Sequence, residues 1–129
     1  MATIEKFEDI EAWKLARQVT RSIYEITSIG DFAKDYALCN QIRRAAISIP
    51  SNIAEGFERS GNKEFLNFLS IAKGSCGEVR AQLYIALDQQ YLDELKFGEI
   101  SRKLLETSSV IAGFMRYLQQ TELRGNKFK

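Results

Sequence analysis

One nine-residue run stands apart in this chain: Ser48-Ile49-Pro50-Ser51-Asn52-Ile53-Ala54-Glu55-Gly56. Ser48, Asn52, Glu55 and Arg59 recur at i, i+4, i+7 and i+11, which lines them along one face of a helix. Further on, Ser75, Glu78 and Gln82 form a matching polar set. Side chains of these types can do two things when two helices meet. They can satisfy one another as a buried seam that fixes register, or they can line a pocket for a polar ligand or partner. If the intervening turn is centred near Gly61, residues that face each other have numbers summing to about 122. Arg44 then comes level with Glu78, and Ser48 with Gly74. The seam predicted on this basis comprises Arg44, Ser48, Asn52, Glu55, Ser75 and Glu78, with Asn52 bonded to backbone freed by Pro50.

The sequence contains no histidine. That removes the Glu-x-x-His pairs of di-iron bundles and His-ligated haem. Ser-His-Asp and Cys-His nucleophile systems go with them, as does His-dependent acid–base chemistry. Neither a P-loop nor a GxGxxG turn occurs, and no segment has EF-hand ligand spacing. Cys39 and Cys76 lie far apart within helical patterns and form no CxxC, so they read as free thiols of a reducing cytoplasm. No catalytic residue, metal ligand or cofactor is expected.

Four segments must position these residues. Breakers at Gly30-Asp31, at Ser60-Gly61-Asn62 and around residues 90–93 divide the 129 residues into parts of similar length. The spacing predicts helices over about 8–28, 32–59, 63–90 and 94–122. Apolar residues recur at three and four in each, as in Leu38, Ile42, Ala45, Ile49 and Ile53. Long helices with short loops run antiparallel, so the expected fold is all-α: one up-and-down four-helix bundle. Pro50 deletes the hydrogen bond to the Ala46 carbonyl, so the second helix is expected to kink there. Ala45 and Ala46 come level with Gly77 and Cys76, and the small residues there, with Gly74, are expected to let the helices approach closely. Asn62 is the expected N-cap of the third helix.

The first segment carries two apolar stripes. Trp13, Ala16, Thr20, Ile23 and Thr27 form one; Leu15, Val19 and Ile26 form another roughly 90° away. The second stripe is either an interface with a neighbouring copy or a scatter of surface apolar residues. Charge nearly cancels, with 18 Lys and Arg against 17 Asp and Glu, so binding to nucleic acid must rest on local clusters. The clusters without an adjacent acid are Arg43-Arg44 and the tail residues Arg124, Lys127 and Lys129. The tail has lost the helical period and is expected to fray. No apolar run approaches the ~18 residues that span a bilayer, and the first residues show no signal-peptide pattern.

Several blocks together resemble a known family: Phe7 to Trp13, Gln41-Ile42-Arg43-Arg44-Ala45-Ala46, Ser48 to Gly56, and Phe65 to Ser75 with Glu78. They look like the bacterial four-helix bundle proteins related to those encoded in intervening sequences of large-subunit (23S) rRNA genes, across nearly the whole chain. The resemblance implies an up-down bundle that assembles as a ring-shaped homopentamer. It also implies kinship with the accessory proteins of diversity-generating retroelements, which bind nucleic acid and a reverse transcriptase. Those relatives are markedly basic, whereas this chain is near neutral. The function expected is therefore a non-enzymatic oligomeric binding or scaffold protein, with weak RNA or DNA binding through the basic clusters as the alternative.

Overall fold

The computed structural model describes residues 4–123. Four helices form it: α1, Glu11–Ile26; α2, Tyr36–Glu58; α3, Asn62–Asp88; and α4, Glu94–Leu123. Short 3-10 turns at Phe7–Asp9 and Phe32–Lys34 precede α1 and α2. Among the described residues there is no strand. The helices pack in cyclic order, α1 beside α2 and α4, and α3 beside α2 and α4, which is the up-and-down bundle. No described helix is long and apolar enough to cross a membrane.

The core follows the predicted apolar positions. Ile23, Ile42, Ile49, Ile53, Leu69, Leu83, Leu104, Ile111 and Leu118 are fully buried. The second stripe of α1 is buried too, with Leu15 at 7%, Val19 at 0% and Ile26 at 8% exposure within the single chain. These three residues therefore do not face a neighbouring copy. In a square bundle each helix meets two neighbours about 90° apart, so two stripes are what one subunit needs.

Loop chemistry fixes the ends. Asp35 caps α2, its Oδ1 accepting from the Leu38 amide at 3.1 Å, while Oδ2 accepts from the Tyr91 hydroxyl at 2.9 Å. One carboxylate thus starts a helix and ties the first loop to the third. Phe32 stacks on Tyr91 at the same place, 5.1 Å between ring centroids. The third loop holds Gln90 at φ 62°. The Tyr91 amide donates to the Ala86 carbonyl and the Gln90 amide to Leu87, both at 2.9 Å, which is a Schellman ending on a non-glycine residue. At α3 the cap is Gly61, at φ 84°. Asn62, expected in that role, is instead the first helical residue; it is buried and donates through Nδ2 to the Leu118 carbonyl of α4 at 2.9 Å.

Candidate functional site

The polar seam forms, with fewer members than expected. Ser48 lies on α2 and Ser75 on α3. The Ser48 hydroxyl accepts from Asn52 Nδ2 and from Ser75 Oγ, each at 2.9 Å. Asn52 Nδ2 also donates to the Ser48 carbonyl at 2.8 Å. The pairing of 48 with 75 agrees with the predicted register. Each hydroxyl and the amide nitrogen find partners within the seam, which suits a register-fixing contact.

Arg44, Glu55 and Glu78 stand outside it. Arg44 is exposed and has no carboxylate partner among the described residues. Glu78 is exposed and accepts only a long bond from Gln82, 3.4 Å. Both point outward from their helices, so being level along the axis does not bring them together. Glu55 belongs to the turn: Arg59 bridges it at 2.9 Å and Glu64 at 3.0 Å, and lies over the Phe68 ring at 5.1 Å. Its partners hold the Arg59 pKa above the ordinary value, the Glu55 hydrogen bond first among them.

Pro50 lies inside a continuous helix. As expected, Pro50 leaves the Ala46 carbonyl without its helical donor, and a hydroxyl from another helix stands in for it. Thr20 of α1 places its hydroxyl 3.2 Å from the Ala46 oxygen and 2.9 Å from the Ala16 oxygen of its own helix. Asn52, expected to serve the freed backbone, serves Ser48 instead. The donor comes from another helix, and spacing along α2 could not show it.

The glycines also exchange roles. A Cβ on Gly74 or Gly77 would meet nothing within 4 Å, so these two face outward. Gly56 is the point of close approach: a Cβ there would lie 2.7 Å from Phe68 Cβ and 2.8 Å from Phe65 Cδ1. Phe65 in turn meets Phe114 of α4 edge to face, with 5.4 Å between centroids.

The basic pair at 43 and 44 divides. Arg43 Nε donates to Thr27 Oγ1 at 2.8 Å, and its Nη2 reaches the Thr27 carbonyl and Ser28 Oγ at 3.3 Å. Its guanidinium lies 4.6 Å above the Tyr24 ring. Arg43 thus closes the C-terminal end of α1, where a cation also complements the helix dipole. Arg124, Lys127 and Lys129 lie outside the described residues. Cys39 and Cys76 are buried free thiols; burial raises both pKa values, that of Cys76 to about 11. Among the described residues no group of three His, Cys, Asp or Glu could hold a metal ion.

A cleft of about 200 Å³ opens between α1 and α4, away from the seam. Ser22, Glu25, Ile29, Lys96, Glu99 and Lys103 line it. Lys96 and Glu99 pair at 3.3 Å, and Lys103 donates to Gln18 at 3.2 Å. These rim charges neutralise one another, and no buried polar group points into the space.

Fold and side-chain geometry define an all-α four-helix bundle whose polar block organises helix packing. The sequence pattern of the family described as 23S rRNA-intervening sequence protein matches residues 8–113, and the chain belongs to that family. A similar fold occurs in the crystal structure of a protein of unknown function from the S23 ribosomal protein family of Bacteroides thetaiotaomicron. That match has a TM-score of 0.73 at 20% identity, covering 81% of this chain and 97% of the other. No curated protein matches the sequence.

Proposed function

We propose that the chain is a non-catalytic assembly protein of the cytoplasm, which packs against copies of itself and offers its remaining faces to a macromolecular partner. The supporting observation is the outward face of α3. Ile71 and Ile85 are 52% and 48% exposed there, and Gly74 between them has open space around it. A helical glycine costs about 1 kcal/mol relative to alanine, and nothing within the subunit packs on this one. A neighbouring backbone approaching closely is a use for such a position. The resemblance noted from the sequence favours a closed ring of five copies, and a heterologous contact closes into a ring when its rotation permits.

Light scattering at micromolar concentration tests this reading. The expected mass is a multiple of the 14.7 kDa chain, with ~800 Å² buried per partner. Replacing Ile71 and Ile85 by aspartate should give a monomer of unchanged helicity. A monomeric parent protein would overturn the proposal.

Nucleic-acid binding is a second reading, favoured by the unpaired and exposed Arg44. Arg43, the other half of that cluster, is already engaged with the end of α1.

A further inference from the structure

The first two helices carry a charge segregation that the near-zero net charge hides. Residues 12–24 and 36–54 contain Lys14, Arg17, Arg21, Arg43 and Arg44, while all 17 acidic residues lie outside these stretches. The ion pairs of the described residues, Arg59 with Glu55 and Glu64 and Lys96 with Glu99, lie elsewhere. Glu25 stands one turn from Arg21 and lines the α1–α4 cleft, at the edge of the cation row away from α2. Lys14, Arg17, Arg21 and Arg44 are exposed.

Their placement follows from the α1–α2 register. Thr20 meets Ala46, so Arg21 stands about level with Arg44 across the helix pair. Between the two ridges of cations lie apolar and aromatic side chains. Ile47 is 41% exposed and Tyr24 40%. Arg17 lies 5.7 Å from the Trp13 ring centroid, and Arg43 covers Tyr24. Trp13 and Tyr24, 11 residues apart on α1, are separated by about 16 Å along its axis. That is a few nucleotides of an extended strand.

We infer that this α1–α2 face binds single-stranded nucleic acid, with Arg17, Arg21 and Arg44 on phosphates and Trp13 and Tyr24 beside the bases. The inference rests on the second reading above. Cations flanking aromatic rings, without intervening carboxylates, match a backbone of negative charge bearing flat apolar bases. A protein partner would need acids regularly spaced over the same length. Aromatic rings beside the cations suit unstacked bases, which a single strand presents and a duplex does not. The residues belong to one copy, so the site does not depend on assembly.

Trp13 is the sole tryptophan, so its fluorescence reports on this face. The experiment titrates the full chain with a labelled 12-nucleotide oligouridine, reading anisotropy and Trp13 emission across a salt series. A duplex hairpin and phosphatidylserine vesicles are run in parallel. Three phosphate contacts on a single strand predict a log–log salt slope of about −2. Arg17→Glu, Arg21→Glu and Arg44→Glu together should weaken binding by ~10-fold or more and flatten that slope. Lys73→Glu, Arg102→Glu and Arg116→Glu together, the same charge change on exposed positions of α3 and α4, should cost much less. Trp13→Leu should weaken binding by ~5-fold or more with the slope unchanged. Equal losses in the two triple variants would overturn the assignment to this face while nucleic-acid binding survived. Duplex or vesicles bound as tightly as the oligouridine would overturn the single-strand class. No binding to any nucleic acid at ~20 mM salt would overturn both the inference and the reading beneath it.

Discussion

The hydroxyl of Thr20 stands 3.2 Å from the carbonyl oxygen of Ala46, the acceptor left without a helical donor because Pro50 has no N–H. A proline inside a helix costs ~3 kcal/mol, in part through that lost bond. Thr20 supplies a replacement across the α1–α2 contact. Thr20→Val keeps the shape and removes the donor, so it should destabilise by about 1–2 kcal/mol in urea unfolding. In a Pro50→Ala background, where residue 50 can donate again, the same substitution should cost ~1 kcal/mol less. Equal costs in the two backgrounds would show that Thr20 and Pro50 are not coupled.

Glycines 56 and 74 should respond oppositely to alanine. Gly56→Ala sets a methyl against Phe68 and Phe65 at 2.7 and 2.8 Å, both on the helix packed against it. The helices must part, and a loss of about 1–3 kcal/mol is expected. Gly74→Ala meets open space and should raise helix stability by up to ~1 kcal/mol. Urea midpoints measured on a monomeric background, with Ile71 and Ile85 replaced by aspartate, keep any effect on assembly out of the comparison. A gain at Gly56 would show that the close approach does not constrain that position.

The helix count, the direction of the chain and, to within one residue, the level at which Ser48 meets α3 were legible in the residues, because apolar spacing and breaker positions determine them. Rotation about the helix axes was not. It set Gly74 outward and Gly56 inward, buried Leu15, Val19 and Ile26, and kept Arg44 from Glu78. A one-dimensional register cannot distinguish two residues at the same height on different faces. The block from Ser48 to Gly56 now reads as packing chemistry. Ser48 and Asn52 bond within the seam, Ile49 and Ile53 fill the core, Pro50 draws Thr20, and Gly56 admits two phenylalanines. The acid-free stretches of α1 and α2 were open to a simple charge count.

Gln90 ends α3 with φ at 62°, a region where side chains with a Cβ are strained and glycine is not. Gln90→Gly should therefore stabilise by roughly 0.5–1 kcal/mol, a rise of a few degrees in Tm. Gln90→Val, branched at Cβ, should lower Tm instead. A thermal scan of the three proteins decides it, and an unchanged or lowered Tm for Gln90→Gly would mean the loop is not strained at this residue.

Cys76 gives the fold an alkaline limit. Burial pushes its thiol up from an ordinary value of 9.0 to about 11, with the side chain wholly enclosed. The folded chain thus holds a proton on sulfur that the unfolded chain releases first. The stability this contributes is full below about pH 9 and is lost as pH rises through the folded value near 11. Two pKa steps correspond to about 2.7 kcal/mol at the limit. Urea unfolding at pH 8 and pH 10.5 should show the parent protein losing more stability than Cys76→Ala between the two conditions. The variant starts lower, having lost core volume, but its curve should be flatter. The two proteins differ only at residue 76, so the difference isolates Cys76. Parallel losses would show that its ionisation is not linked to unfolding.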